Sequence, residues 1–154
     1  MTHPVEQRLT DLGLALPEAA KPIAAYVPAV RAGNLLHISG QLPFRDGAIV
    51  TGRLGEDMDV AAGRDAAQRC ALMLLAQIKA ASGGFESVRR IVKLGVFVAS
   101  TPEFTDQPEV ANGASELMQA LFGDAGRHAR SAVGVPALPR GAAVEVDAVV
   151  ELAD

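Results

Sequence analysis

The chain has 154 residues, of which 49% are hydrophobic and 4% aromatic, and its formal net charge is −4. This length suits one domain with a substantial core, and no apolar run approaches the ~20 residues that are needed to cross a bilayer. The acidic balance argues against a protein that binds nucleic acid through bulk electrostatics.

We interpret residues 1–154 as a single domain in which residues 1–21 form an N-terminal helical extension. The N-terminus is polar and lacks the apolar region of a signal peptide. Cys70 is the one cysteine, so no internal disulfide can form. These features are typical of a reducing compartment, and we expect a cytoplasmic protein in which Cys70 is an inert core thiol.

The first third of the chain predicts a short helix, a connector and three strands. Apolar residues on one side predict a helix over residues 5–13. Three prolines make residues 14–28 an irregular connector. The turn signals Gly-Asn and Asp-Gly separate the three predicted strands, which are residues 27–31, 35–39 and 48–52.

Two longer helices follow. Asp57 or Asp59 can cap a helix that runs to about Ser82, where a pair of glycines ends it. Its apolar residues recur at helical spacing, which indicates a helix that faces the core. Proline at the start and glycine at the end predict a second helix over residues 108–122.

The remaining strands complete an α+β pattern. Residues 91–99 are nearly all apolar, which is typical of a strand covered on both faces, and further strands are predicted at 131–135 and 143–152. We expect a six-stranded mixed sheet with two helices on one face. The apolar strand 91–99 would leave too much apolar surface on the open face, so we expect a partner subunit there.

The segment from Arg130 to Glu145 contains the residues that point to a function. An arginine opens one extended segment, a Leu-Pro turn follows, and a glutamate lies early in a second one. If the two segments pair, they bring a rigid guanidinium, which clamps carboxylates, to the same small site as a carboxylate. Such a glutamate can hold a water and accept its proton.

The pattern Arg-Ser-x-Val-x-Val-x-x-Leu-Pro-x-x-Ala-x-Val-Glu, beginning at Arg130, resembles the C-terminal signature of the YjgF/RidA family, the reactive intermediate deaminases, which are also labelled endoribonuclease L-PSP. Three upstream features match in order: Tyr26 before the first strand, a Gly-Asn strand that ends in Ser-Gly-Gln over residues 33–41, and Asn112 in the second long helix. The resemblance covers roughly residue 22 to the end. It implies a chorismate-mutase-like fold and a homotrimer with sites at the subunit clefts.

The resemblance also implies a site for a small carboxylate that needs neither cofactor nor metal. Arg130 would bind the substrate carboxylate, and Glu145 would position a water. Tyr26 would cover the substrate plane, while backbone groups near Gly40 and Ala132 would fix its nitrogen.

Other candidates have weaker support from the residues alone. Asn112 fits a substrate contact or a hydrogen bond to neighbouring backbone equally well. His128, two residues before Arg130, is a candidate substrate contact, whereas His37 lies mid-strand and is expected to be structural. The three histidines lack the spacing of metal ligands. Arg140, like Arg127, is expected to lie on a solvated edge.

These observations leave three functions open. The first is hydrolysis of enamines or imines derived from amino acids, which gives 2-keto acids and ammonia. The second is non-catalytic binding or sensing of a keto acid, because Ala132 stands where deaminating members usually carry Cys or Ser. The third is an endoribonuclease or translation inhibitor, whose one support is the cluster of Arg127, His128 and Arg130.

Overall fold

A computed structural model describes residues 2–22 and 24–154, which contain three α-helices and seven strands. The α-helices are α1 (Pro4–Asp11), α2 (Val60–Ser82) and α3 (Gln107–Phe122). The strands are β1 (Ala29–Ala32), β2 (Leu35–Gln41), β3 (Phe44–Arg45), β4 (Ala48–Ile49), β5 (Val88–Ala99), β6 (Ala129–Val135) and β7 (Val144–Leu152). Met1 of the predicted extension and Ile23 of the predicted connector lie outside the described residues.

The main sheet differs from the predicted six strands. Within residues 2–22 and 24–154 it has five, in the order β1-β2-β7-β5-β6, and only β5 and β6 are parallel. The predicted strand at 48–52 contributes β4, which instead pairs with β3 in a separate hairpin. Asp46 and Gly47 both have positive φ, 51° and 81°. This is the conformation of a tight two-residue turn, and it closes β4 back onto β3.

The helices cover one face of the sheet, as the alternation of β7 predicts. The even-numbered residues of β7 are buried beneath the helices, whereas Glu145, Asp147, Val149 and Glu151 are half-buried on the opposite face, here called the open face. On β5 the helix-facing side chains are buried as well, while Phe97 on the open face remains partly exposed.

Local signals explain where α2 begins and ends. The Asp59 carboxylate accepts a hydrogen bond from the Ala62 backbone N–H at 2.8 Å, so Asp59 rather than Asp57 is the N-cap. Gly83 ends the helix in a left-handed conformation with φ 78°. Between these caps the first part of the helix is buried on one side, whereas every residue from Cys70 to Ile78 is buried, so this part of α2 is enclosed all round.

The N-terminal helix α1 packs on α3 rather than on the sheet. Val5 and Leu9 are buried, and the Arg8 guanidinium donates a hydrogen bond to the Leu121 carbonyl at 2.5 Å. Leu12, expected on the same apolar side, is instead 52% exposed because α1 ends before it. None of the helices described here has the length and apolar character to span a membrane.

Candidate active site

The two segments that carry Arg130 and Glu145 do not pair with each other, so this expectation is wrong. A strand that follows a crossover helix lies parallel beside the strand before that helix, so β6 pairs with β5, and β5 separates it from β7. Arg130 aligns with Leu94 on the helix-covered face, whereas Glu145 aligns with Phe97 on the open face. The candidate residues therefore fall into two groups on opposite faces of the sheet, here called the arginine half-site and the glutamate half-site.

The arginine half-site consists of Arg130, Asn112, Ser115 and His128. The Nη1 of Arg130 donates to the Asn112 side-chain oxygen at 2.8 Å and to the Ser115 hydroxyl at 3.1 Å. Its Nη2 donates a longer bond, 3.4 Å, to the Pro108 carbonyl. Asn112 thus accepts a hydrogen bond from the guanidinium, and α3 fixes the direction in which that guanidinium points.

His128 supports the position of Arg130 indirectly, through Ser115. Its Nδ1 lies 2.7 Å from the Gly126 carbonyl and its Nε2 lies 2.9 Å from the Ser115 hydroxyl. Because a carbonyl can only accept, Nδ1 carries the proton and the Ser115 hydroxyl donates to Nε2. The polar atoms of His128 are therefore directed at the protein, in a chain of hydrogen bonds that ends on Arg130.

Burial lowers the pKa of His128, and the nearby Arg130 guanidinium lowers it further, whereas the Gly126 carbonyl acts in the opposite direction. The imidazole is thus kept neutral beside a fixed positive charge. Ala132 follows Arg130 by two residues on the same face of β6, where it packs partly buried against the core.

The glutamate half-site consists of Glu145, Gly40 and Tyr26. The register of β2 against β7 shifts between Ile38 and Gln41, so Ser39 and Gly40 form a bulge opposite a single residue of β7. A Cβ placed on Gly40 would lie only 2.8 Å from Cδ of Glu145. The glycine therefore makes room for the Glu145 carboxyl group.

A second carboxylate lies two residues from Glu145 on the open face. A Cβ on Gly95 of β5 would lie 3.1 Å from Cγ of Asp147, so this side chain also packs over a glycine. Burial raises the pKa of Glu145, and the charge of Asp147 raises it further. A raised pKa brings a carboxylate closer to the proton affinity that suits a general base near neutral pH.

A cavity of about 320 Å³ opens beside the glutamate half-site. Tyr26 and Gly40 line it, together with two cationic residues, Lys21 and Arg140. Arg140 is exposed, as expected of an edge residue, yet it also borders this cavity. Sequence reasoning missed both cations, because the connector and the Leu-Pro turn meet here only in three dimensions.

Gln77 fixes the wall of the cavity and was also missed. Its amide donates to the Ala20 carbonyl at 2.7 Å and to the Gln41 side-chain oxygen at 3.4 Å. These bonds tie the connector and the end of β2 to α2. The available signal was a polar residue inside an otherwise apolar stripe of the helix, because a buried amide requires partners.

The remaining candidates lie away from both half-sites or are inert. Cys70 is fully buried, and burial raises the pKa of its thiol, which keeps it protonated. His37 is exposed on the open face of β2. Among the described residues, no three His, Cys, Asp or Glu side chains converge as metal ligands would.

The fold and the half-sites define a small α+β protein with a guanidinium on an edge strand and a carboxylate on the open face of its sheet. The family model for endoribonuclease L-PSP matches residues 17–152. The chain therefore belongs to the endoribonuclease L-PSP family, and the family predicted from the motifs is confirmed. The helix α1 precedes the matched region.

Individual relatives agree over nearly the whole chain. Protein TCP17 of Trypanosoma cruzi is 54% identical over 96% of this chain and 94% of its own length. The 2-iminobutanoate/2-iminopropanoate deaminase of the mite Dermatophagoides farinae is 32% identical over 89% of this chain and 93% of its own. The crystal structure of Atu1372 from Agrobacterium tumefaciens, a protein of unknown function, superposes with a TM-score of 0.91 at 52% identity, covering 97% of this chain and 92% of that one.

Proposed function

We propose that the protein hydrolyses enamine or imine intermediates derived from amino acids, giving 2-keto acids and ammonia, at clefts between the subunits of a homotrimer. The proposal is supported by one observation, which is that the two candidate groups are divided between the two faces of the sheet. A carboxylate-binding guanidinium and a water-positioning carboxylate lie on opposite faces of one sheet, so only a second copy can bring them together.

The surface of the chain supports this assembly. Strand β6 lies at the edge of the sheet, so Arg130 lies where a second copy can approach it. The open face carries exposed apolar side chains that a neighbouring subunit would cover, namely Val30, Leu35 and Val133.

The chemistry follows from these groups. Arg130 of one copy binds the substrate carboxylate through two N–H groups. Glu145 of a neighbouring copy holds a water beside the imine carbon and takes one of its protons as the water oxygen attacks. The nitrogen then takes up that proton, the hydroxyl group returns a proton to Glu145 as it becomes the carbonyl, and the carbon–nitrogen bond breaks to release a 2-keto acid and ammonia, which carries the second proton away. A protonated imine is already electrophilic, so these steps require no other reactant than water.

The relative from Dermatophagoides farinae bears the name of a deaminase that acts on 2-iminobutanoate and 2-iminopropanoate, and this supports the reaction class. The test is an assay in which an amino-acid oxidase generates the imine and semicarbazide traps whatever remains. The protein should remove the imine faster than buffer does. An unchanged imine lifetime at micromolar protein would contradict the proposal.

One alternative rests on a specific observation. Ala132 lacks the side chain that deaminating members usually have at this position, so the same cleft could bind a keto acid without turning over an imine. In that case the chain would bind 2-keto acids through Arg130 while the imine assay shows no catalysis.

A further inference from the structure

We infer that the cavity beside Gly40 is a second anion subsite and that the preferred substrates are imines of acidic amino acids, which carry a second carboxylate on the side chain. This inference rests on the proposed function and names its substrate class. It is carried by the charge, the shape and the position of the cavity.

The charge of the cavity is entirely of one sign. Lys21 and Arg140 are the charged residues that line it, and no acidic residue does so. Within residues 2–22 and 24–154, neither side chain makes a hydrogen bond or an ion pair. Two uncompensated cations beside one cavity, on a chain with a net charge of −4, attract an anionic ligand.

The backbone holds one of these cations in an unfavourable conformation. Arg140 has φ 62° and ψ 16°, in the left-handed region that residues with a Cβ rarely adopt. The turn is fixed by hydrogen bonds from Gly141 to Leu138 and from Ala142 to Pro139, both 3.1 Å. This turn therefore holds the Arg140 backbone beside the cavity that its side chain lines.

The position of the cavity links it to the reacting carbon. Gly40 packs against the Glu145 carboxyl group and also lines the cavity. A substrate whose imine carbon lies beside Glu145 therefore directs its side chain past Gly40 into the cavity. The carboxylate at the reacting end would lie on Arg130 of the neighbouring copy, so Lys21 and Arg140 face a second, separate anion.

The shape of the cavity fits a side chain with an apolar stem and a charged end. Its volume of about 320 Å³ exceeds what a methyl or ethyl group fills. Apolar side chains form its walls, which suit methylene groups, and the cations suit a terminal carboxylate. These walls are Pro22, Pro28, Leu42, Phe44 and Ile49.

Two keto acids of equal chain length test the subsite without requiring catalysis. 2-Oxoglutarate and 2-oxopentanoate both carry the carboxylate expected on Arg130, but only the first has a second one. Calorimetric titration should show 2-oxoglutarate binding at least about tenfold more tightly. Equal affinities, or tighter binding of 2-oxopentanoate, would overturn the inference.

Variants of Lys21 and Arg140 test whether these two cations cause the preference for 2-oxoglutarate. Lys21→Met and Arg140→Met should each remove most of the preference for 2-oxoglutarate and leave 2-oxopentanoate binding within about twofold. Arg140→Gly removes the cation while relieving the backbone, so it separates loss of charge from a disturbed turn. Arg127→Met, a control at an exposed arginine that does not line the cavity, should leave both affinities unchanged. A matched loss for both ligands in the cavity variants would contradict the subsite.

Failure of the subsite and failure of the proposed function give different results. If imines of glutamate and norvaline are hydrolysed equally well and both keto acids bind equally, the deaminase stands and the subsite is wrong. If 2-oxoglutarate binds preferentially but neither imine is hydrolysed, the anion subsite is supported and the proposed deaminase activity is wrong.

Discussion

Arg130 owes its direction to α3 rather than to its own strand, because Asn112 and Ser115 both accept hydrogen bonds from its Nη1. Replacing it with lysine keeps the charge and loses the planar fork. Arg130→Lys should therefore weaken 2-keto acid binding by about 1–3 kcal/mol, the usual cost of an unmade charge-assisted hydrogen bond. Calorimetric titration measures the change, and parent-like affinity would show that the guanidinium does not hold the carboxylate.

Glu145 is the complementary residue in the proposed reaction. Glu145→Gln preserves shape and much of the hydrogen bonding but cannot accept a proton. Imine hydrolysis should fall by about 10²–10⁴-fold, while keto-acid binding stays nearly intact. A variant that hydrolyses imines as fast as the parent would remove Glu145 from the water-activating role.

His128 makes the stability of the arginine half-site dependent on pH. Its pKa is lowered in the folded chain, so the unfolded chain binds the proton more readily. The stability that it contributes is complete well above the ordinary histidine pKa of 6.5 and is lost as the pH falls from there through the lowered pKa. Denaturant unfolding between pH 7.5 and 5 should show a smaller loss for His128→Gln than for the parent.

The raised pKa values of Glu145 and Asp147 act in the opposite direction. Because the folded chain holds their protons more tightly, their contribution is lost as the pH rises through the raised values. Both the parent and His128→Gln contain Glu145 and Asp147, so the difference between their pH profiles reports on His128. Equal pH profiles for the two proteins would contradict a neutral His128 in the folded state.

At the scale of elements, α2 and α3 approach closely enough that only glycine fits at their crossing. A Cβ on Gly113 would lie 2.8 Å from the carbonyl carbon of Arg64. Gly113→Ala should cost about 1–3 kcal/mol of unfolding free energy, despite the better helix propensity of alanine. Gln119→Ala, an exposed control on the same helix, should stay within about 0.5 kcal/mol. A neutral Gly113→Ala would mean that the helices can separate at little cost.

Those elements whose signals are local were predictable from the sequence. Asp59 and Gly83 bound α2 because caps act within one turn of the chain. The alternation of β7 predicted which of its side chains face the helices. The hairpin of β3 and β4 was not predictable as separate from the sheet, because strand partners are a tertiary choice that a short apolar run does not encode.

For the candidate site, the sequence pointed to residue types but not to their arrangement. The motif identified Arg130 and Glu145, yet their faces depend on β5 inserting between β6 and β7, which is a non-local pairing. The hydrogen bonds from Arg130 to Ser115 and from Gln77 to the connector also join residues far apart in sequence. Such contacts produce no periodic pattern in the sequence from which they could be predicted.

At the scale of the whole molecule, the proposed site exists only between copies. An arginine on the helix-covered face of an edge strand and a glutamate on the open face cannot reach one ligand within a chain. Two neighbouring copies in a closed ring would each supply one half. The exposed apolar residues of the open face give such an assembly its hydrophobic contact.

Mixed oligomers test this division most directly. Arg130→Ala and Glu145→Gln should each be inactive in imine hydrolysis, once light scattering shows that both are folded and assemble as the parent does. Co-expressed in equal amounts, they should regain about a quarter of the parent activity, because that share of interfaces pairs an intact Arg130 with an intact Glu145. If no activity returns in the mixed trimers, the two residues do not act across a subunit interface.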